Sequence, residues 1–308
     1  MKYNPYVPFL SQRRFSSPPG FSARLLTAII LNAFIFMAEF IGSLLTGSLA
    51  LASDAFHNLS DFFALILSFV GIHITNWRSN TRKSYGYVRA EILVAFLNSL
   101  TLVAIGFVII YEAVNRIFHP FQISGAGMLG IAVIGFVANA AGTLLLKRHA
   151  HDDLNLRSAF LHMMADALES LAIVIGAILV LWKGWTLVDP LLSISIGIFI
   201  LKSAWDVLVD AVNIVMEGSP KGVDLSEVAQ FMETFPGVKS VHHVHIWSLS
   251  SRYHALSAHI VVGDQQLSNV CNIINQLAEA LENRFGIQHP TLQPEVEVCS
   301  EQEHLFLK

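Results

Sequence analysis

Apolar residues dominate six long segments of the chain, separated by short polar connections. These segments run roughly over 22–46, 49–75, 90–117, 124–146, 158–182 and 187–213. Because a helix needs about 20 mainly apolar residues to cross a bilayer, each segment is long enough to span one. The pattern therefore predicts a six-helix transmembrane domain over residues 21–214. The preceding residues 1–20 lack the features of a cleaved signal peptide and are interpreted as a flexible lead.

Residues 219–308 have a different, more polar pattern, which is that of a soluble domain. Asp224 and Glu227 have the spacing of a capping box, which predicts a short helix ending near Pro236. Two alternating strands, an amphipathic helix and a last strand are predicted at 238–249, 253–262, 267–285 and 291–298. The order α-β-β-α-β indicates a C-terminal α+β domain of ferredoxin-like type, with its helices on one face of a sheet.

The composition agrees with a membrane protein. The chain is 54% hydrophobic and 14% charged, whereas soluble domains average about 25% charged residues. A net charge of −4, without an extended basic patch, excludes nucleic acid as a partner. The two cysteines, Cys271 and Cys299, are too few for a disulfide framework and are interpreted as buried thiols of a reducing compartment.

Basic residues predict the orientation. Lysines and arginines concentrate in the lead and in the second-to-third and fourth-to-fifth connections, whereas the remaining connections hold only Lys183. By the positive-inside rule, the basic connections and both termini face the cytoplasm.

The second predicted span carries four polar residues on one stripe. Asp54, His57, Asn58 and Asp61 are spaced by three and four, so a helix presents them on one face. Ionisable groups at membrane depth are costly unless they are paired or line a wet cavity, so the stripe is a candidate functional site. Asp54 and Asn58 have two open interpretations: they orient His57 from a second shell, or they pack against a neighbouring helix.

The fifth predicted span repeats the arrangement, because His162 and Asp166 are four residues apart. If the two spans meet, two imidazoles and two carboxylates surround one point. This donor set suits tetrahedral zinc. The alternative is a pair of polar contacts between helices that are satisfied within the bundle.

Three further acidic residues lie in predicted spans. Glu39 either lines an aqueous approach to the site or packs against a partner helix. Glu169 lies one turn beyond Asp166 without a firm interpretation. Asp189 precedes Pro190 at the start of the sixth span and is interpreted as a helix cap.

The tail contains a second candidate metal site. Strict alternation in VHHVHIW places His242 on one face of a strand, and His243 with His245 on the other. His259 in the next strand and Glu295 near the chain end complete a plausible zinc set, whereas His243, His254 and His289 are interpreted as ordinary surface histidines.

Several motifs together resemble the cation diffusion facilitator family, in its zinc-transporter type. They are GSLALASDAFHNLSD, SYGYVRAEILVAFLN, HMMADALES, DPLLSISIGIFILKSAWDVLVD, VHHVHIWSLS and LSAHIVV. The resemblance implies a homodimer that exports divalent zinc from the cytoplasm in exchange for protons. It also implies a transport site of His57, Asp61, His162 and Asp166. A cytoplasmic zinc site would use positions that match His242, His245, His259 and Glu295. Histidine at position 57 favours zinc, because relatives with aspartate there favour manganese, iron or cadmium.

The chain departs from the family pattern in two places. Gln293 and Glu295 stand where some bacterial relatives have histidine and aspartate, which puts a two-metal tail site in doubt. The long His-rich loop of many eukaryotic relatives is absent between the fourth and fifth spans, where KRHAHDDLNLR is interpreted as a solvated linker. The compact length and the missing loop favour a bacterial inner membrane.

Three other functions would also place metal ligands in a membrane protein. An intramembrane metalloprotease would need a motif such as HExxH, which does not occur, so no enzyme is predicted. A membrane metal sensor without transport would explain the tail but not the paired ligands in two spans. An exporter of the same fold for cadmium, cobalt, iron or manganese remains an alternative.

Overall fold

The computed structural model describes residues 21–74, 81–147 and 154–297. These residues form two compact units. The second unit gathers Ser79–Val94 with the chain from Val209 onward, and the first holds most of the rest. The predicted lead at 1–20, residues 148–153 of the predicted linker and Cys299 lie outside the described residues. The described ends of that linker are helical, because α4 ends at Lys147 and α5 begins at Leu154, four residues before the predicted start of the fifth span.

Six long helices occupy the predicted apolar segments, which confirms the predicted class of a polytopic helical protein. Their bounds are α1 Phe21–Thr46, α2 Leu49–Ile74, α3 Ala90–Phe118, α4 Gly125–Lys147, α5 Leu154–Lys183 and α6 Val188–Val215. Among the residues whose side chains are described, five helices are long and apolar enough to cross a membrane. Large apolar side chains point outward from them, among them Leu45, Phe107 and Leu144, as a lipid-facing surface requires.

The remaining helix is α2, whose side chains are described up to Ile66. Its 26 residues span about 39 Å at the helical rise of 1.5 Å per residue, which is enough for a bilayer. The polar stripe from Asp54 to Asp61 lowers the apolar content of its described part. The prediction that this segment is a long helix is confirmed.

Small and branched side chains from α2 to α6 form the core of the first unit. Leu51, Leu102, Met128, Ile173 and Ile200 are buried together there. The start of α2 is held by a residue of another helix. Asp189 on α6 accepts hydrogen bonds from the Ser48 hydroxyl at 2.5 Å and from the backbone N–H groups of Leu49 and Ala50 at 2.9 and 3.1 Å. The predicted cap therefore exists, but it caps α2 rather than its own helix.

The second unit contains the predicted α+β domain. Its elements are α7 Leu225–Glu233, β1 Ser240–Ser248, β2 His254–Val261, α8 Leu267–Phe285 and β3 His289–Glu295. The sheet order is β1-β2-β3, with β1 antiparallel and β3 parallel to β2. Asp224 caps α7 through the N–H groups of Ser226 and Glu227, as its spacing predicts. The last strand begins at His289, two residues before the predicted start.

Cys271 lies on the solvent side of α8 and is exposed, so the prediction of a buried thiol is wrong there. The buried positions of this helix are Val270, Leu277 and Leu281. Cys271 is one residue, about 100° of helical rotation, away from that stripe.

The connection between α2 and α3 packs with the tail inside the second unit. Arg89 lies 3.0 Å from the Glu217 carboxylate, and Ser251 donates a hydrogen bond of 2.8 Å to Glu91. The Tyr85 ring lies edge-on to His289, with ring centroids 5.6 Å apart. These contacts place a predicted cytoplasmic connection together with the predicted cytoplasmic domain.

Candidate metal centres

The four predicted ligands of α2 and α5 meet in an alternating arrangement. His57 Nε2 lies 3.2 Å from Asp166 Oδ1 and 3.6 Å from Asp61 Oδ2. His162 Nε2 lies 3.2 Å from Asp61 Oδ2 and 3.8 Å from Asp166 Oδ2. Each imidazole therefore contacts both carboxylates, one on its own helix and one on the other.

These separations have the scale of a tetrahedral zinc site. Zinc binds nitrogen and oxygen ligands at about 2.0–2.2 Å, which places neighbouring ligand atoms about 3.3 Å apart. The donor atoms of His57, Asp61 and Asp166 all lie within 4.8 Å of one another. His162 adds the fourth donor through its contacts to both carboxylates. The set of two nitrogens and two oxygens can hold a divalent cation after small shifts.

Burial is uneven around this site. The His57 and Asp166 side chains are largely buried, whereas 53% of the His162 side chain is exposed. The ring of Phe199 on α6 covers His57, with ring centroids 5.8 Å apart. The site is therefore closed on the His57 side and open on the His162 side.

Asp54 and Asn58 lie on the same face of α2, but their described hydrogen bonds lead away from His57. Asn58 donates to Glu39 Oε2 at 2.7 Å and to the Asp54 carbonyl at 3.2 Å. Ser170 donates to Asp54 Oδ2 at 3.5 Å. The role of Asp54 and Asn58 in orienting His57 stays a prediction, and the buried carboxylate that Asn58 contacts is Glu39.

The tail brings together three of its four predicted ligands. His242, His259 and Glu295 each offer a ligand atom within 4.8 Å of the others. His242 Nε2 lies 3.2 Å and His259 Nδ1 lies 2.8 Å from the Glu295 carboxylate. Strand register explains the grouping, because His242 pairs with His259 on β2, and His259 pairs with Gln293 on β3.

The donor chemistry of this cluster fits a metal ion. Both ring nitrogens are close to Glu295, yet neither has a hydrogen-bond partner among the described residues. Buried polar atoms normally find such a partner, so donor atoms that converge without one indicate a cation site. Gln293 donates to Glu295 Oε1 at 3.1 Å and orients this carboxylate.

A β-bulge in β1 changes the predicted pattern of histidines. The pairing shifts between His242 and His245, and His243 adopts a φ of 50°. Since the partners of His242 and His245 are His259 and Ser257, two residues apart on β2, both histidines lie on one face of the sheet. The prediction from strict alternation, which separated them, is wrong.

His245 nevertheless lies outside the group of converging donors, so its ligand role stays a prediction without geometric support. The bulge brings His243 closer instead. Its ring centroid lies 5.5 Å from that of His242 and 5.2 Å from that of His259. Sequence reasoning missed His243, because strict alternation cannot anticipate a bulge.

His254 has a structural environment. Its Nδ1 lies 3.4 Å from the Ser248 hydroxyl, and its backbone N–H donates to Gln288 at 2.9 Å. Partial burial lowers the pKa of His254 below its ordinary value. It is therefore neutral at neutral pH and joins the ends of β1 and β2.

Two known family domains match the chain, one over its membrane part and one over its tail. Residues 25–216 match the family described as "Cation efflux transmembrane domain", and residues 220–297 match "Cation efflux protein, cytoplasmic domain". The chain belongs to the cation efflux family, which confirms the resemblance noted in its motifs.

Three relatives match over most of their length. The "Cadmium, cobalt and zinc/H(+)-K(+) antiporter" of Bacillus subtilis is 39% identical over 89% of this chain and 88% of its own. The "Metal cation efflux system protein CzcD" of Cupriavidus metallidurans is 36% identical over 92% of this chain and 90% of its own. The "Zinc transporter ZitB" of Escherichia coli is 35% identical over 90% of this chain and 88% of its own. These relatives are transporters, which confirms that the chain is not an enzyme.

Proposed function

We propose that the chain exports zinc from the cytoplasm in exchange for protons, through a site of His57, Asp61, His162 and Asp166. The observation that carries the proposal is the alternating contact of two imidazoles and two carboxylates across α2 and α5, at separations of 3.2 to 3.8 Å. The names of the three relatives, which include zinc, cadmium and cobalt, support a divalent transition metal as cargo.

Proton coupling follows from the donor chemistry. Zinc needs neutral imidazoles and ionised carboxylates, so protons and metal compete for the same atoms. Histidine titrates near pH 6.5 and therefore responds to the pH difference across an energised membrane. The exposed His162 is the ligand that solvent reaches first, so we expect metal release to begin with its protonation. A tetrahedral ligand set in which His162 is exposed to solvent suits a zinc ion that must be released after transport.

The energetics favour more than one proton per zinc. Exchange of Zn²⁺ for one proton moves a net positive charge outward, which costs about 2.3 kcal/mol per 100 mV of inside-negative potential. Exchange for two protons removes that cost, and each proton contributes about 1.4 kcal/mol per pH unit. Two histidines in the site provide the titratable groups for this stoichiometry.

We further propose that both termini face the cytoplasm of a bacterial inner membrane and that the chain acts as a homodimer through its tail. The basic connections support the orientation. The match of residues 220–297 to the cytoplasmic domain of the family supports the tail assignment. In this arrangement His242, His259 and Glu295 would hold a resident zinc ion, which would cross-link the three strands.

Reconstituted vesicles test the transport function. With the cytoplasmic side outward and an acidic lumen, we expect zinc uptake that stops when the pH gradient is collapsed. Cadmium and cobalt, offered separately in the same assay, measure the selectivity. Failure to move any of these metals would remove the transport proposal and leave the metal sensor.

The tail site makes a separate prediction. Glu295→Gln in the full chain removes the carboxylate that faces both imidazoles. We expect the purified protein to bind one zinc fewer per chain, as measured by equilibrium dialysis with metal analysis. Glu279→Gln, at an exposed position of α8, is the matched control and should bind as wild type. Equal stoichiometry in both variants would contradict the tail site.

A further inference from the structure

We propose that Glu39 and Asp54 share a proton at a second site within the membrane unit, separate from the four proposed metal ligands. This inference deepens the proposed proton-coupled function and rests on it for its role in transport. The existence of the shared proton does not depend on transport and is tested separately.

The two carboxyl groups are deeply buried. Glu39 on α1 is 1% exposed and Asp54 on α2 is 2% exposed. Asn58 donates to Glu39 Oε2, whereas Glu39 Oε1 has no hydrogen-bond partner among the described residues. A buried carboxylate oxygen without a donor is costly, because burial removes the oxygen from bulk solvent.

Helix α4 closes the space beside this oxygen. A side chain at Gly135 would place its Cβ 2.5 Å from Glu39 Oε1, so glycine is required for the close approach. Asn139 on the same helix donates to the Ser170 hydroxyl at 3.1 Å, and Ser170 in turn donates to Asp54. The neighbouring donors are thereby committed to Asp54 and to Glu39 Oε2, and Oε1 receives none.

Glu39 and Asp54 approach each other around Ser170: the same point beside Gly135 lies 2.5 Å from Glu39 Oε1 and 3.9 Å from the Ser170 hydroxyl, which donates to Asp54 Oδ2. A hydrogen bond between the two carboxyl groups would supply the partner that Oε1 lacks. Two ionised carboxylates cannot form that bond, because both are acceptors only. One proton between them supplies the donor and also removes one of two like charges, as in other paired carboxyl groups.

Among the described residues, the surrounding charges compensate the pair only in part. The titratable groups that act on the pair are His57 from α2 and Glu169 from α5. Glu169 adds a third carboxyl group, and His57 Nε2 is directed to Asp166 and Asp61. The packing helices α1 and α4 add no cation to this set among their described residues. A shared proton is the remaining means to reduce the negative charge.

The location suggests how the pair contributes to exchange. Zinc bound at His57 adds positive charge close to the pair and favours its ionised form, so binding from the cytoplasm releases the shared proton. Departure of zinc reverses the effect, and the pair takes up a proton again. The pair alternates between charges of −1 and −2, and it carries one of the exchanged protons in each cycle.

Infrared spectroscopy of the purified, zinc-free full chain at neutral pH tests the shared proton directly. We expect a carbonyl-stretch band of a protonated carboxylic acid, which disappears in Glu39→Gln and in Asp54→Asn. In either variant the new amide donates to the remaining carboxylate, which can then stay ionised. Glu112→Gln on α3 is the control, because Glu112 is paired with Arg116 at 2.9 Å, and the band should persist.

Two outcomes would overturn the proposal: absence of the band in the wild type, or its persistence in both variants. Calorimetry in buffers of different ionisation enthalpy then counts the protons released on zinc binding, and Glu39→Gln should release one fewer than wild type. If Glu39→Gln and wild type release the same number of protons, the pair has no role in proton coupling. Loss of transport in the wild type with the band present would contradict the proposed function and leave the shared proton intact.

Discussion

Replacement of His57 by alanine is expected to lower zinc transport at least about 100-fold. Changes to groups that merely support a metal ligand cost 10- to 100-fold in metal affinity or activity, and His57 is itself a proposed ligand. Its ring nitrogen contacts Asp166 and Asp61, so its removal leaves two carboxylates and a single, half-exposed imidazole. Zinc uptake into vesicles with an acidic lumen measures the effect.

His119→Ala is the matched control, since His119 is exposed at the end of α3 and contacts only Asn115 among the described hydrogen bonds. It should transport as wild type. Asp166→Asn should lose transport to a similar degree, and the double variant with His57→Ala should be no worse than either single change, because the two groups act as one unit. Undiminished uptake by His57→Ala would remove this residue from the transport site.

Replacement of Asp189 by alanine is expected to lower the free energy of unfolding by about 3 kcal/mol. Asp189 is fully buried and accepts three hydrogen bonds from Ser48, Leu49 and Ala50 at the start of α2. Each donor left unsatisfied costs about 1–3 kcal/mol, and the negative charge at a helix N-terminus is also lost. Denaturant unfolding of the detergent-solubilised chain gives the measurement.

Asp189→Asn keeps one acceptor oxygen and should lose roughly half as much stability. The control is Asp206→Ala on the same helix, an exposed position where the change should stay within about 0.5 kcal/mol. If Asp189→Ala unfolds like wild type, the contact between α6 and α2 does not stabilise the fold.

Elements defined by short-range periodicity were predictable. The bounds of α8 agree with the prediction to the residue, because an amphipathic stripe and a glycine at its end specify a helix locally. The ligand pairs on α2 and α5 were predictable for the same reason, since i, i+4 spacing is a property of one helix. The contact between the α2 pair and the α5 pair depends on tertiary structure, which the spacing within one helix does not determine.

The features that sequence reasoning missed depend on partners distant in the chain. Asp189 lies 140 residues from Leu49, whose N–H it binds. The prediction from strict alternation is also wrong at His243, where a bulge adds a residue to β1. No glycine or proline at this position indicates the bulge in the sequence. Glu39 was assigned either to an aqueous approach or to packing, and the contact with Asn58 became visible only when α1 and α2 were placed together.

The polar stripe of α2 has a consequence for biosynthesis. An aspartate at the centre of a membrane helix costs about 2.5–3.5 kcal/mol on insertion scales, and α2 carries two. As the chain emerges, α1 offers the Glu39 contact to Asn58 at once, because a two-residue link joins the helices. The partner of Asp61 on α5 is His162, which is synthesised about a hundred residues later. Asp61 therefore gains its partner only when α5 arrives, and the contact that satisfies this carboxylate is one of those that build the metal site.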